Sequence, residues 1–436
     1  MESNTTSVKW IIAQIRKMMQ RCGIQYDPQS GLCYYSGYGD SILTSEIYFD
    51  TIALSHMGAD ESLALNTFRV FLSSGHPDGH IRRHRLGPVS RIGYPRGYPN
   101  WDGFEEEEHA QPFLCQMALL ISRIRGNTDW LSAEEYARLK RYLNHWLTDW
   151  DRDGNGLSEW ASAPHSMADT QFDRAGVWHS YFCEGVDLNC YLYLELLSIA
   201  FLAKARNLME DASYFAEQAE RKKLLIQTIF WDDNDGFFYD RYVPDGKPIK
   251  VKAVGNFMPL WARLATPKQA RQLVEAHLTN IEEFWTPYPI PSYARNEPMY
   301  TQYHQTPKGC DPLYYFLPGH CNWRGGMWPH TNYLIAHGLM NYDFIDEAEY
   351  ISSRTFELVA ADPQLYEWYN AETGEGQGAH PFWAGSEVLM SFLHTEIQVG
   401  FDPSKIDSVL VKFSSNEIWR KLGITEPFCA EWAFPT

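Results

Sequence analysis

Two acidic side chains with unusual neighbours carry the chemical interest of this sequence. Glu367 sits in LYEWYNAETGEGQG, among Tyr366, Trp368 and Tyr369, just before a glycine-spaced polar turn. A glutamate in the core must be paired or bear a large desolvation cost, whereas at the mouth of a cavity it can hold a water molecule. Asp169 lies mid-loop in SMADTQFDRAG, between Met167–Ala168 and Thr170–Gln171–Phe172. A carboxyl in a partly apolar mouth titrates high and keeps its proton near neutrality, as a general acid must. Glycoside hydrolysis needs such a pair. One carboxyl protonates the leaving oxygen, and in the inverting form the other activates water on the opposite face, about 6.5–9.5 Å away.

A third element is HCNWRGGMWPHTNYL (320–334). Trp323 and Trp328 could wall a sugar site, since aromatic faces stack on flat apolar surfaces. Arg324 supplies planar, permanent donors. Gly325–Gly326 permits close backbone approach, and Pro329 suits a first helical turn. A tight loop-to-helix entry with tryptophans as packing is the plainer alternative. DRDGNGLSE spaces Asp151, Asp153 and Asn155 at alternate positions before Gly156, as at the start of a calcium loop. The twelfth position is Ser162 where a bidentate Glu would stand, and an Asx-rich turn explains the same residues. His76, His80 and His84 recur every four residues, but Pro77 and Gly79 break the helix that a metal face would need. Arg82, Arg83 and Arg85 form a basic cluster that would attract an anionic group or simply face solvent.

These loops need a frame, and helical periodicity supplies it. Helices are predicted over 6–22, 46–57, 60–74, 107–125, 132–150, 183–207, 211–229, 255–265, 267–277, 328–340, 343–360 and 383–397. After the first, all but 383–397 fall into pairs with short connections. Longer Gly/Pro/aromatic-rich loops, 75–104, 151–180, 230–253, 278–325 and 361–382, follow alternate helices. Loops of this length usually carry function. The alternation implies an all-α fold, a closed double ring of helix pairs with the long loops at one mouth. WDDNDGFFYDRY (231–242) reads as a small β-hairpin there. No low-complexity linker divides residues 1–436, so a single catalytic domain is expected, with an N-terminal helix within 1–30 and a C-terminal extension over 400–436.

Composition narrows the partners. With 55 acidic against 37 basic residues the net charge is −18, which disfavours nucleic acid and anionic membranes. Aromatics reach 15%, which suits sugar stacking or an aromatic core equally. The eight cysteines form no CxxC pair and read as free thiols in a reducing, cytoplasmic setting. The first residues read as an amphipathic helix, not a signal peptide, and no uninterrupted apolar run of about 18 residues is present.

Taken together, the motifs resemble glycoside hydrolase family 63. NWRGGMWPHTNYLIAHGL (322–339) resembles its Trp-Arg-Gly-x-x-Trp-Pro signature, and LYEWYNAETGEGQGAHPFW (365–383) its Glu-x-Tyr segment. DGNGLSEW (153–160) and YFDTIALS (48–55) are similar to its acidic loop and a helix start, with Phe49 where Trp is usual. The compact length is similar to that of the family's glycosylglycerate hydrolases. The resemblance implies an (α/α)6 barrel, an inverting mechanism and no organic cofactor. It implies Glu367 as general base and a loop Asp as general acid; Asp169 is preferred and Asp173 stays open. Asp50, Gln111, Trp323, Arg324 and Trp328 would shape the site for a small sugar-like substrate. Tyr48, Trp160, Asp173, Trp368 and Tyr369 are further candidates for substrate contact. No metal is assigned, with Ca2+ at Asp151, Asp153 and Asn155 left as a possibility. Two other readings stay open: non-hydrolytic acid/base chemistry on the same barrel, as in a lyase, isomerase or cyclase, and sugar binding without catalysis.

Overall fold

The computed structural model describes residues 24–28, 30–35, 41–43, 47–52, 61–86, 108–177, 179–302, 322–361 and 365–378. The segments expected at 6–22, 383–397 and 400–436 lie outside them. The described chain is rich in helix. Glu61–Ser73, Ala133–Thr148, Val186–Ala205, Met209–Ile229, Pro329–Met340 and Ile345–Ala361 match the predicted spans closely. Local chemistry sets their starts. Before Ala133–Thr148, Ser132 Oγ accepts from Glu135 N while Glu135 Oε2 accepts from Ser132 N, which satisfies two amides reciprocally. Pro329 opens its helix where no N–H is required.

Several boundaries differ from expectation, each for a local reason. The helix expected over 107–125 begins at Leu114, because Pro112 and the Phe113 N to Gln111 O turn hold the preceding residues out. The segment 255–265 splits into a 3-10 turn, Val254–Phe257, and a single turn, Met258–Trp261, where Pro259 cannot donate. The helix expected over 267–277 ends in α form at Leu273 and passes into a π-turn, Val274–Leu278. The N-terminal helix expected within 1–30 excludes Ile24–Asp27. That stretch is a strand paired antiparallel with Leu32–Tyr35, and Gly31 takes the left-handed turn position at φ 71°.

The chain divides into two compact units. The first takes in the described residues up to His145 together with Glu195–Ala216. In it Glu61–Ser73 packs on Leu32–Tyr35 and on Leu114–Arg125. Thr67 Oγ1 accepts from Tyr35 N at 2.8 Å and fastens that strand. Glu195, fully buried, accepts from Cys115 N and Gln116 N at 2.9 and 2.8 Å and satisfies the free amides that open Leu114–Arg125. Burial pushes its carboxyl up to about 7 against the pull of those donors.

The second unit takes in Trp146–Leu194 and the described residues from Glu217 onward. Pro329–Met340 packs on Ile345–Ala361 and on Met258–Trp261. Glu159–Trp160, Cys183–Glu184 and Arg241–Tyr242 form a short antiparallel sheet, in which Glu159 faces Glu184 and Glu184 faces Arg241. The hairpin expected at 231–242 forms between Trp231–Asp232 and Phe237–Phe238, while Arg241–Tyr242 leaves it for the sheet. Arg174, 1% exposed, reaches Asp240 at 2.5 Å and Asp187 at 2.7 Å. Asp240 accepts from Val186 N at 2.7 Å and Asp187 from Trp160 Nε1 at 2.9 Å.

Val186–Ala205 is long and apolar enough by composition to cross a membrane, with mean hydropathy 1.5. That window is 100% buried, so its apolar surface faces protein. Cys33, Cys115, Cys183 and Cys190, among the described residues, are free thiols.

Two measurements check this frame. Replacing Arg174 by Ala strands two buried carboxylates and is expected to lower unfolding stability by about 3–5 kcal/mol in denaturant titration; a loss below about 1 kcal/mol contradicts the buried triad. Glu195 holds its proton more tightly folded than unfolded, where its reference value is 4.5. Its burden on stability is therefore absent below about 4.5 and complete above about 7. Between pH 7 and 5 the wild-type protein should gain stability relative to Glu195→Gln, by up to about 1.4 kcal/mol per pH unit. Parallel stability–pH curves would contradict that assignment.

Candidate functional site

Glu367 precedes a strand turn that explains its odd sequence. Trp368–Tyr369 pairs antiparallel with Gly376–Gln377. Asn370 closes the intervening polar turn, its Oδ1 accepting from Glu372 N and Thr373 N at 2.9 and 3.0 Å. Arg295 grips Glu372 with two bonds of 2.7 and 2.6 Å, and Tyr300 OH donates to the same carboxylate at 2.7 Å. The half-buried Glu367 is thus carried on a braced turn. Gly378, at φ 79°, lies where a Cβ would stand 2.7 Å from Glu367 Oε2, so the missing side chain leaves the carboxylate its place.

Next to Glu367 stands an aromatic wall. Trp323 stacks on Trp328 with centroids 4.1 Å apart and planes within 9°, and Trp328 stacks on Trp368 at 5.1 Å. Tyr369 exchanges both backbone hydrogen bonds with Met327, at 2.8 and 2.9 Å, which ties the Glu367 strand to the tryptophan segment. A Cβ on Gly326 would lie 2.6 Å from Trp368 Cδ1, which accounts for the second glycine of WRGG. His330 meets Trp323 and Trp328 edge-on at 5.5 and 5.4 Å. Burial lowers its pKa to about 3, so the imidazole is neutral.

The Asp169 segment is fastened to this wall. A 3-10 turn, Pro164–Ser166, ends at Met167 with φ 73°, and the single helical turn Phe172–Ala175 follows. Arg324 Nε donates to Thr170 O at 2.9 Å. Gln171 Nε2 donates to Trp323 O at 2.9 Å and to Ser292 O at 3.2 Å. Asp169 is half-buried and Asp173 exposed. Tyr293 OH donates a short hydrogen bond to Asp173. Burial, and then the Asp173 charge, push the Tyr293 phenol up. Burial pulls Arg324 down, partly offset by Tyr293 and Asp173.

The other candidates separate. Trp160 is enclosed, its N–H held by Asp187 and its ring against Trp146 and His165 at 5.9 and 5.1 Å. Trp368 and Tyr369 are buried in the wall, with Trp368 Nε1 donating to Gln377 Oε1 at 3.1 Å. Tyr48, Asp50 and Gln111 belong to the first unit, where Tyr48 stacks on Phe113 at 5.1 Å, two residues beyond Gln111. Asp50 and Gln111 are buried there. In the same unit Arg83 is nearly buried and pairs with Glu108 at 3.1 Å, which corrects its reading as a solvated face or an anion lure. His76 and His80 flank a turn, with Gly79 N donating to His76 O.

Asp153 Oδ1 accepts from Asn155 N at 3.1 Å, as an Asx turn does, and Asp151 Oδ2 accepts from Gly156 N at 2.9 Å across the loop. Among the described residues no three acidic, imidazole or thiol side chains close on one point.

Sequence reasoning missed Tyr293, Gln171 and His330. Gln171 and His330 stood inside quoted motifs but their roles depend on what they touch. Tyr293 is 120 residues from Asp173 and no spacing marks it.

Residues 42–384 match the family described as the mannosylglycerate hydrolase MGH1-like glycoside hydrolase domain. Mannosylglycerate hydrolases of Thermus thermophilus and Rubrobacter radiotolerans are each 26% identical, over 50% and 57% of this chain and 48% and 53% of theirs. The chain spans about half the length of the curated relatives it matches. In structure it is similar to a GH63 mannosylglycerate hydrolase from a second strain of Thermus thermophilus in complex with glucose, with TM-score 0.66 and 18% identity over 88% of this chain and 99% of that one. The same protein in complex with Tris and D-glycerate gives 0.65 and 16%, again over 88% and 99%. Neutral trehalase Nth1 of Saccharomyces cerevisiae gives 0.58 and 16%, over 94% of this chain and 79% of that one. At such identities the structural likeness is one of fold alone. The family match covers most of the sequence and takes in Asp169, the tryptophan wall and Glu367, and on it the chain belongs to the mannosylglycerate hydrolase MGH1-like glycoside hydrolase domain family.

Proposed function

We propose that the chain is an inverting glycoside hydrolase on an (α/α)6 barrel, acting on a small α-glycoside such as mannosyl- or glucosylglycerate. One observation carries the reading. Thr170 and Gln171, directly after Asp169, are bonded to Arg324 and Trp323, and the rings continue through Trp328 to Trp368, beside Glu367. Two carboxyls about 200 residues apart thus belong to one braced assembly. Family membership, and the relative with glucose and D-glycerate as ligands, support the substrate class.

In this reading Glu367 is the base. It takes a proton from a water molecule as that water attacks the anomeric carbon. Asp169 gives its proton to the glycosidic oxygen as the bond breaks, and configuration at carbon inverts. Trp323, at the end of the stack, is the ring whose outer face would meet the sugar, while Arg324 anchors the Thr170 carbonyl next to Asp169. Asp169 is taken as the proton donor on the family resemblance, and Asp173, which accepts from Tyr293 OH, is the alternative. Trp160 acts through Asp187, to which its N–H donates. Tyr48, Asp50 and Gln111 stand as sugar-contact candidates on sequence grounds. The chemistry draws on no organic cofactor.

Three variants test the roles. Glu367→Gln should lower kcat by about 10²–10⁴-fold with unchanged circular dichroism. Asp169→Asn should do so on alkyl glycosides yet recover on substrates with good leaving groups, which need no acid. Asp173→Asn should not show that leaving-group dependence. With the wild-type enzyme, NMR should detect the β-sugar first from an α-linkage. Full turnover in Glu367→Gln, or the α-anomer first, contradicts the proposal; leaving-group dependence in Asp173→Asn moves the acid to that residue.

A further inference from the structure

The proposed site is held partly by a segment that the reaction does not use. Residues 292–302 bond both to the WRGG loop and to the turn after Glu367. Ser292 Oγ accepts from Gly325 N at 3.0 Å, and Thr301 N donates to Arg324 O at 2.9 Å. A Cβ on Gly325 would overlap Thr301 O and stand 3.1 Å from Gln302 Nε2. The first glycine of WRGG thus admits this segment, as the second admits Trp368.

Gln302, half-buried, spans the loop and the turn. Its Nε2 donates to Gly325 O at 2.7 Å, and its Oε1 accepts from Ala371 N at 3.1 Å. Nε2 also donates to Tyr300 OH at 2.9 Å, and that hydroxyl donates to Glu372 Oε1 at 2.7 Å. A carbonyl only accepts and a backbone N–H only donates, so these partners fix which end of the amide is which.

Register gives the contact its meaning. Met327 and Tyr369 face one another as an antiparallel pair and exchange both backbone hydrogen bonds. In such a ladder the next hydrogen-bonded pair lies two residues on along each chain, at Gly325 and Ala371. Ala371 N would there donate directly to Gly325 O. The Gln302 amide stands in that rung instead, receiving from one and giving to the other. The chain leaving Glu367 and the tryptophan loop are therefore held apart by the depth of one amide.

We infer that Gln302 is a positioning residue for Glu367: it holds one rung of the ladder open and so sets where the base stands against the Trp323–Trp328–Trp368 stack. Without it Gly325 O and Ala371 N lose their partner and the ladder is free to close, drawing the Glu367 strand with it. The inference rests on the reading of Glu367 as the base.

The test compares the full-chain wild type with two variants. Gln302→Met keeps the volume and removes both bonds. Gln302→Asn keeps the amide but is one methylene too short to reach both partners. In each, kcat should fall about 10–100-fold with KM changed less than about threefold, since a misplacement of about 1 Å in a reacting group can cost about 10²-fold. The loss should be equal on alkyl glycosides and on substrates with good leaving groups, because the base acts on both. A merely structural role would lower the melting temperature and leave kcat of the folded enzyme unchanged. Wild-type kcat in either variant, or a loss confined to KM or to alkyl glycosides, overturns the inference. A crystal structure of Gln302→Met separates this from the proposed function. It should show Glu367 displaced against the tryptophan stack, and an unmoved Glu367 overturns the inference whether or not the enzyme acts on glycosides. A wild type that hydrolyses no glycoside overturns the proposed function instead.

Discussion

The buried contact of Arg174 with Asp187 and Asp240 is the constraint on which the second unit's site depends. Arg174 lies in the single helical turn after Asp169, and its Nη1 also reaches Gln171 Oε1 at 3.4 Å. Asp240 accepts from Val186 N, and Asp187 holds Trp160. One guanidinium therefore fixes the acid-bearing turn, the start of a buried helix and an enclosed indole together. Such a cluster need not stabilise the protein more than apolar packing would, but each partner is indispensable once the others are buried. What it contributes is position: Gln171 can then reach Trp323, and Thr170 can receive Arg324.

From that anchor the remaining features follow as packing requirements. The tryptophan stack needs backbone within ring contact, which Gly326 permits and a Cβ would prevent. The glycines and polar residues after Glu367 form an Asn-closed turn braced by Arg295 and Tyr300, so the carboxylate rides on a stiff element although it sits in a loop. Preorganisation of this kind is what acid–base chemistry on a sugar requires, since a small misplacement of either carboxyl is costly to rate.

Much of the frame was legible in the sequence. Apolar periodicity located most of the long helices, because their buried faces repeat at helical spacing; Val186–Ala205 is buried all round and has no such face. Glu367 drew notice through its aromatic neighbours, and WRGGMWP through its glycine and proline chemistry. The misreadings arose where a distant partner decides. Arg83 read as part of a basic surface because Glu108 lies 25 residues away. Tyr293 had no local signal at all. The strand at Ile24–Asp27 was the exception, since Pro28 and Gly31 marked its turn within reach of the eye.

The account's central claim is a pair of opposed carboxyls with water between them. A crystal structure of the enzyme with an uncleavable glycoside bound would test it most directly. The account predicts Glu367 and Asp169 carboxyls about 6.5–9.5 Å apart on opposite faces of the anomeric centre, with a water on Glu367. A separation near 5 Å, or a Glu367 directed away from the sugar, would contradict it.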